Sequence, residues 1–262
     1  MKRSRFTRRK AGPPAPKPPP PPDGEGMRLN KYIAHSGVCS RRQAADLVKA
    51  GEVTVNGRVE KSPGYLVQPD DAVTVKGAPI ALERTQIYVL MNKPKDHTTT
   101  LSDEKGRRTV MDLLRDNVTE RIYPVGRLDR ATTGLLLLTN DGDLAQKLSH
   151  PSYEVTKAYQ VKLDQPVSAA HLQAIRDTLE LADGPAPVDA VDYVRGAGPE
   201  EVGIKLHIGR NRIVRRIFEH LGYRVLKLDR TYYAGLTKKD LPRGRYRFLT
   251  EREVIMLKHF KS

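Results

Sequence analysis

A chain of 262 residues that sets 46 Lys and Arg against 31 Asp and Glu carries a formal net charge of +15, and this balance favours a polyanionic partner such as nucleic acid. No stretch approaches the roughly 20 apolar residues that cross a bilayer, so we expect no membrane partner. The single cysteine, Cys39, excludes an internal disulfide and fits a cytoplasmic protein, and the lack of a Cys/His cluster argues against a zinc site.

Residues 1–26 predict a disordered, basic tail. Residues 13–22 are nearly all proline and offer no apolar side chains to bury, which is typical of an extended polyproline spacer. The tail either contacts phosphate without specificity or serves as a solubilising extension, and its composition leaves both interpretations open.

Residues 27–80 predict a small domain of two helices followed by a sheet. A helix over 28–36 is expected to end at Gly37, and Ser40 with Gln43 forms a capping box for a second helix. The Asn-Gly pair within residues 53–59 is the strongest short signal for a hairpin, and a further strand is expected over 72–76. The exposed face of the helix pair carries five cations that either bind an anionic ligand or form ordinary solvated surface, namely Arg28, Lys31, Arg41, Arg42 and Lys49. The first four are the expected RNA-binding residues.

This domain resembles the S4-like RNA-binding module. The runs that carry the resemblance are Leu-Asn-Lys-Tyr-Ile-Ala, Gly-Val-Cys-Ser-Arg-Arg-Gln-Ala and Val-Thr-Val-Asn-Gly. The resemblance implies that Arg41 and Arg42, near a helix N-terminus, contact RNA phosphates, and Cys39 is then a small structural residue.

Residues 86–262 predict a second, larger domain. Its first elements are a strand over 86–91 that Asn92-Lys93-Pro94-Lys95 breaks, a long polar loop over 96–108 and a helix over 109–117. After a distinctive segment at 126–142, we expect a helix over 143–149 and a strand over 155–163. A helix that begins at Ser168 is expected to bury Leu172, Ile175 and Leu179. Strands over 189–194 and 202–208, a helix over 209–222, a strand near 246–249 and a final helix opened by Thr250 complete the chain.

The segment 126–142 is the centre of the sequence. Four consecutive leucines, residues 135–138, predict a strand that is buried on both faces, since a solvated strand would alternate. The polar turn before it holds one carboxylate, Asp129, between Arg127 and Arg130. Asp129 either accepts hydrogen bonds from its own turn or serves as the acidic group of an active site.

Two further candidates lie later in the chain. Tyr159, on the strand over 155–163, is by itself better explained as a core aromatic than as a site residue. In the helix over 209–222, Arg215 and Arg216 flank the apolar stripe, and helical spacing does not decide which of them reaches a site.

The segment 126–142 closely resembles the signature of the RsuA-type ribosomal RNA pseudouridine synthases, Gly-Arg-Leu-Asp, two spacers, Thr, one spacer, Gly-Leu-Leu-Leu-Leu-Thr-Asn-Asp-Gly. The resemblance implies an α+β protein, in which a small two-helix-plus-sheet RNA-binding domain is joined to a larger domain with a mixed, mainly antiparallel sheet. The implied reaction converts one uridine of ribosomal RNA, with the large subunit favoured over the small, to pseudouridine. No cofactor is needed, and a monomer is expected.

The same resemblance assigns roles to residues. Asp129 is the catalytic aspartate, acting either as a nucleophile or as a base, and Arg215 pairs with it. Tyr159 is the tyrosine of a Lys-spacer-Tyr pair and stacks on the target base. Ile213 and Ile217 depart from the glutamine and methionine often found in this motif, which affects fine substrate contacts. The expected substrate-binding residues are Arg127, Lys157, Arg210, Asn211 and Arg212.

Two other functions are consistent with parts of the sequence. A non-catalytic RNA-binding or ribosome-assembly protein would need only the tail and the first domain, but it leaves Asp129 and Tyr159 unexplained. A two-carboxylate glycosidase would pair Asp129 with Asp141 or Asp143. Those residues lie at the other end of the buried strand, too far away at about 3.3 Å per residue.

Overall fold

The computed structural model describes residues 26–83, 85–114 and 118–259. Their contacts divide them into two compact units: the first contains residues 26–32 and Ser40–Ile80, and the second contains Ile33–Cys39 and the residues from Ala81 onward. The predicted tail lies outside the described residues except for Gly26. Within the described ranges, no helix is both long enough and apolar enough to cross a membrane. The boundaries expected from the sequence, 27–80 and 86–262, remain a prediction.

The first part of the chain contains two helices and six short strands. The elements are β1 (Met27–Arg28), α1 (Leu29–His35), α2 (Arg41–Lys49), β2 (Val53–Val55), β3 (Arg58–Val59), β4 (Leu66–Val67), β5 (Val73–Val75) and β6 (Ala78–Ile80). An antiparallel sheet runs in the order β3-β2-β5-β6, and β1 pairs with β4. The predicted capping box of Ser40 and Gln43 is confirmed. The Asn56-Gly57 hairpin is confirmed too, because both residues adopt positive φ, 51° and 78°, as its tight turn requires.

The second unit is built on a nine-stranded sheet. Its elements are β7 (Tyr88–Lys93), β8 (Tyr123–Pro124), β9 (Thr133–Thr139), α3 (Gly142–Ser149), β10 (Lys157–Leu163), α4 (Ala169–Arg176), β11 (Leu179–Leu181), β12 (Gly184–Ala186), β13 (Ala190–Tyr193), β14 (Glu201–Leu206), α5 (Ile213–His220), β15 (Val225–Tyr233), β16 (Leu236–Thr237), β17 (Tyr246–Phe248) and α6 (Glu251–Lys258). The main path runs β13-β14-β10-β15-β9-β7-β17. All its pairs are antiparallel except the parallel pair of β15 with β9.

Strand β9 is buried on both faces, as the sequence predicted. Leu135 and Leu137 pack into one core cluster, whereas Leu136 and Leu138 pack into another. None of the four leucines is exposed to solvent. Because successive side chains of a strand point to opposite faces, the run of leucines fixes β9 as a central strand with core on each side.

Four predicted elements differ from the structure. Strand β7 continues through Lys93, because the buried ammonium finds carbonyl partners inside the protein. Only a 3₁₀ helix, Val110–Leu113, stands in the range predicted as a helix over 109–117, of which residues 115–117 lie outside the described part. Leu179 belongs to β11, since Thr178 turns the chain with φ 70°. Helix α5 begins at Ile213 because Arg212 adopts a left-handed conformation that a helix cannot continue through.

Two further features differ from the prediction. Arg28 lies on β1 and precedes helix α1. Strand β15, which lies in the middle of the main sheet, was not expected from the sequence. Its nine residues mix apolar, charged and aromatic side chains without a regular alternation, so they carry no clear strand signal.

Candidate active site

The site is built on the turn that leads into β9. Asp129 is half-buried at this turn, and its main-chain carbonyl accepts a hydrogen bond from Thr132 N at 3.0 Å. No hydrogen bond or ion pair to the Asp129 carboxylate occurs among the described residues. The carboxylate is therefore available to a ligand.

Lys93, at the end of β7, stabilises this turn by hydrogen bonds to its main chain. Its Nζ donates to the carbonyl oxygens of Thr132 at 2.8 Å, of Asp129 and Pro94 at 3.1 Å each, and of Arg130 at 3.3 Å. The side chain is not exposed to solvent. Burial lowers the pKa of Lys93 to about 8, and the negative charge of Asp129 partly opposes this shift. The buried ammonium thus fixes the main chain that presents Asp129.

A cavity of about 170 Å³ lies in front of the turn. Its walls come from five places in the sequence: the turn before β9, the end of α3, strand β10, the segment that enters α5, and strand β15. The lining includes Arg127, Asp129, Thr132, Lys157, Tyr159, Ile208, Arg210, Arg212, Ile213, Val214, Leu228, Arg230 and Tyr233. The cavity therefore gathers one carboxylate, several cations and two phenol rings.

Lys157 and Tyr159 reach the cavity from the same face of β10. Tyr159 is half-buried, and Lys157 Nζ donates to the carbonyl oxygen of His207 at 2.7 Å. Burial lowers the pKa of Lys157 to about 8, with a further lowering by the nearby Arg230. The predicted Lys-spacer-Tyr pair thus lies in one cavity with Asp129.

Arg215 takes a different position from the one expected. It is 8% exposed, does not line the cavity, and donates from Nη1 to the carbonyl oxygen of Val225 at 3.0 Å. Its Nε is buried without a partner. Burial lowers the pKa of Arg215, while the charge of Asp129 raises it. The two side chains thus interact through space, and no ion pair joins them in the part of the chain that the structure describes.

The expected substrate-binding residues differ in their surroundings. Arg127 is an exposed residue of the cavity wall. Arg210 also lines it, but its guanidinium donates to the carbonyl oxygens of Asp183, Gly184 and Pro185. Arg212 forms an ion pair with Glu219 at 3.1 Å, whereas Asn211 is exposed and lies outside the lining.

Two cavity residues were missed at the level of the sequence. Arg230 is 3% exposed and leaves its Nη2 without a hydrogen-bond partner. Thr132 is also buried, and its Oγ1 has no partner either. The predicted signature contains Thr132, but nothing in the residues around Arg230 distinguishes it from a surface cation on a strand.

The four cations expected to bind RNA all lie in the first part of the chain. Arg28, Arg41 and Arg42 are exposed, and Lys31 is half-buried. Arg41 and Arg42 open helix α2, whose first turn contains no acidic residue. Cations are unfavourable at the positive end of a helix dipole, and the predicted contact of these arginines with RNA phosphates remains a prediction.

Asp141 has a structural role that explains its place in the segment. It caps α3 by accepting from Leu144 N at 3.0 Å, and it also accepts from Tyr88 Oη at 2.7 Å. Its carboxylate is thus engaged at the end of β9 away from the cavity. Within residues 26–83, 85–114 and 118–259, no cluster of three or more His, Cys, Asp or Glu side chains is arranged to hold a metal ion.

Comparison with known proteins gives consistent matches along the chain. Residues 87–220 match the RNA pseudouridylate synthase family, and residues 27–73 match the S4 domain. The ribosomal large subunit pseudouridine synthase B of Bacillus subtilis is 41% identical over 234 residues, which cover 88% of this chain and 95% of that protein. An uncharacterized RNA pseudouridine synthase of Aquifex aeolicus is 38% identical over 88% of this chain and 93% of its own length. A crystal structure of a pseudouridylate synthase covers 88% of this chain and 99% of its own, with a TM-score of 0.62 and 27% identity.

Proposed function

Because this chain belongs to the RNA pseudouridylate synthase family and carries an S4 domain, we propose that it converts one specific uridine of ribosomal RNA to pseudouridine. The relative from Bacillus subtilis is named for the large ribosomal subunit, which favours that RNA over the small-subunit RNA. We also propose that the chain acts as a monomer, and the presence of every residue of the proposed site in one copy is consistent with this.

The reaction is an isomerisation. The bond between ribose C1′ and uracil N1 breaks, and a bond between C1′ and uracil C5 forms. C5 loses its proton and N1 gains one, so the atoms of the nucleotide are conserved. A base inside an RNA helix is out of reach, so the target must be extruded at a cost of a few kcal/mol.

The observation that carries this proposal is the meeting of Asp129 and Tyr159 in one cavity. The ring of Tyr159 stacks on the extruded base and returns roughly 1–3 kcal/mol. The Asp129 carboxylate faces the ribose, where it acts either as a nucleophile on C1′ or as a base. Its freedom from partners in the described structure suits either role.

The surrounding cations have supporting roles. Arg215 stabilises the charge of Asp129 through space or by closing to a direct ion pair when RNA binds, and its unpartnered Nε leaves a donor for that contact. Arg127 contacts the RNA at the rim of the cavity. Further positive or polar contacts along the RNA strand come from Lys157, Arg210, Asn211 and Arg212. In the first domain, Arg28, Lys31, Arg41 and Arg42 bind phosphates.

The test uses unmodified transcripts of large-subunit and small-subunit ribosomal RNA. Each is incubated with the wild-type protein and with Asp129→Asn, and pseudouridine is mapped by carbodiimide labelling followed by reverse transcription. We expect one modified position in the large-subunit RNA with the wild-type protein. Asp129→Asn is expected to keep its unfolding temperature and RNA affinity but form no product.

The outcomes separate the parts of the proposal. Modification of small-subunit RNA alone would correct the target, whereas full product from Asp129→Asn would remove Asp129 from the mechanism. RNA binding without modification by the wild-type protein, on any ribosomal RNA, would contradict the reaction itself. Size-exclusion chromatography with light scattering tests the monomer.

A further inference from the structure

We infer that Arg230 is a catalytic residue that binds a carbonyl oxygen of the target uracil and stabilises the negative charge that the base gains when its bond to the ribose breaks. This inference rests on the proposed function and adds an electrophilic group to it. It assigns a role to a buried guanidinium that the sequence did not reveal.

The first support is the position of Arg230 beside Tyr159. In the pairing of β10 with β15, Tyr159 lies opposite Arg230, and Lys157 lies opposite Tyr233. Directly opposed residues of neighbouring strands project from the same face of the sheet. The guanidinium therefore lies next to the ring that is proposed to stack on the base.

A β-bulge creates this arrangement. The register shifts between Ala158 and Tyr159, so that Thr231 is the extra residue on β15. Without the shift, residues 230 and 233 would point to opposite faces. With it, both are buried, and the guanidinium carbon of Arg230 lies 4.5 Å from the centroid of the Tyr233 ring.

The second support is the hydrogen bonding of the guanidinium. Nε of Arg230 donates to the carbonyl oxygen of Leu135 at 2.7 Å, which fixes the plane of the group. Nη2 is buried and has no partner, and no carboxylate forms an ion pair with Arg230 in the described part of the chain. Leaving a charged donor buried and unpaired is costly, so a ligand acceptor in the cavity is the natural partner.

The other cations of the cavity are less suited to this contact. Lys157 already donates to His207, Arg210 to the turn between β11 and β12, and Arg212 to Glu219. Arg127 is exposed, where water weakens any charge interaction. Arg230 combines burial, a fixed orientation and a free donor.

The chemistry requires such a donor. When the C1′–N1 bond breaks, its electron pair remains on the uracil and spreads onto the O2 and O4 oxygens. A preorganised donor that faces the developing charge lowers the barrier more than it strengthens binding of the neutral base. Rotation of the base then brings C5 to C1′, and the base loses its negative charge when C5 donates an electron pair to form the bond to C1′. The later loss of the C5 proton and gain of a proton at N1 restore the uracil ring without a net change in charge.

The experiment compares two target RNAs, one with uridine and one with 5-fluorouridine at the mapped position. Fluorine withdraws electrons and stabilises the base anion by itself. Single-turnover consumption of the target nucleoside is measured by nuclease digestion and chromatography for wild type, Arg230→Gln and Arg230→Lys. Arg195→Gln, an exposed arginine outside the cavity, is the matched control. RNA affinity and unfolding temperature are measured for each.

We expect Arg230→Gln to lower the rate on uridine RNA by about 100- to 1,000-fold, with RNA affinity retained. The loss on 5-fluorouridine RNA should be clearly smaller, and Arg230→Lys should recover part of the rate. Equal losses on both RNAs, or no loss, would overturn the inference. If Arg230→Gln does not fold, the ratio of the two rates for Arg230→Lys decides in the same way. Failure of the wild-type protein to change either RNA would instead overturn the proposed function, and this inference with it.

Discussion

The ammonium of Lys93 donates to the main-chain carbonyl oxygen of Asp129 at 3.1 Å. The same ammonium binds the carbonyl oxygens of Arg130 and Thr132, so one buried side chain of β7 spans the whole turn before β9. The turn that carries the Asp129 carboxylate is thus positioned from the end of a neighbouring strand, by contacts to the main chain.

Substituting Lys93→Met tests this positioning. The substitution keeps the apolar stem but leaves four carbonyl oxygens without their shared donor, so the turn loosens. A displacement of about 1 Å costs roughly 100-fold in rate, and we expect a loss of that size in single-turnover pseudouridine formation with RNA affinity unchanged. The free energy of unfolding should change much less than the activation free energy, because the lost hydrogen bonds are offset by the removal of a desolvated charge. A variant with wild-type rates would contradict the positioning role.

The pH dependence of activity follows from two buried lysines. The pKa values of Lys93 and Lys157 are both lowered from 10.5 to about 8, so each loses its proton as the pH rises through about 8. We expect the single-turnover rate to fall over that range. Measuring the rate from pH 6 to 10 for wild type, Lys93→Met and Lys157→Met identifies the lysine responsible. A basic limb that neither substitution moves would show that another group controls it.

The contribution of the same two lysines to stability changes with pH in the direction opposite to that expected for the rate. Below pH 8, both carry their protons in the folded and in the unfolded chain, and the cost of burying the charges is constant. Between about pH 8 and 10.5, the unfolded chain binds more protons, so the contribution of these groups to stability rises with pH. Urea unfolding at pH 7.5 and 9.5 should therefore show a larger gain for wild type than for Lys93→Met, and an equal gain would contradict the assigned shift.

Gly134 is required by the close approach of β9 and β15. It has φ +106°, and an added Cβ would lie 2.2 Å from the carbonyl oxygen of Arg230. Gly134→Ala combines overpacking with backbone strain, so we expect a loss of at least about 2 kcal/mol in the free energy of unfolding. Gly196→Ala is the matched control, since Gly196 has φ +79° but no atom within 4 Å of an added Cβ. A similar loss for both would attribute the effect to φ alone.

Stacking by Tyr159 can be separated from chemistry in an Asp129→Asn background. The affinity for RNA with uridine at the target is compared with that for RNA with an abasic site there. We expect the uridine to contribute about 1–3 kcal/mol, or roughly 5- to 150-fold in affinity. Tyr159→Phe should retain this difference, and Tyr159→Ala should abolish it. A difference that persists in Tyr159→Ala would place the base elsewhere.

Salt dependence tests the cations at the start of α2. Each phosphate contact adds about 0.7–0.9 to the slope of log affinity against log salt. Arg41→Gln and Arg42→Gln should each lower the slope by about that amount, measured by filter binding from 50 to 300 mM salt. Arg195→Gln should leave it unchanged. Unaltered slopes in both first-domain variants would remove these arginines from the RNA interface.

Local patterns in the sequence were sufficient for several parts of this protein. The four leucines of β9 specify a doubly buried strand because no polar side chain interrupts them. The Asn56-Gly57 turn and the Ser40 cap depend on residues within one turn of the chain, so their geometry follows from local stereochemistry. The match of residues 126–142 to a family signature indicated the reaction and drew attention to Asp129.

The tertiary structure alone decided what surrounds Asp129. The sequence predicted Lys93 to belong to a polar segment that breaks the strand. In the structure Lys93 is buried, because the turn before β9 supplies its hydrogen-bond acceptors. Arg215 proved to bind the Val225 carbonyl, a contact that helical spacing does not contain. Arg230 sits on a strand with no clear signal, and a one-residue bulge turns it toward the cavity. Burial of a charge depends on partners from distant segments and on strand register. The residues adjacent to that charge in sequence determine neither of these.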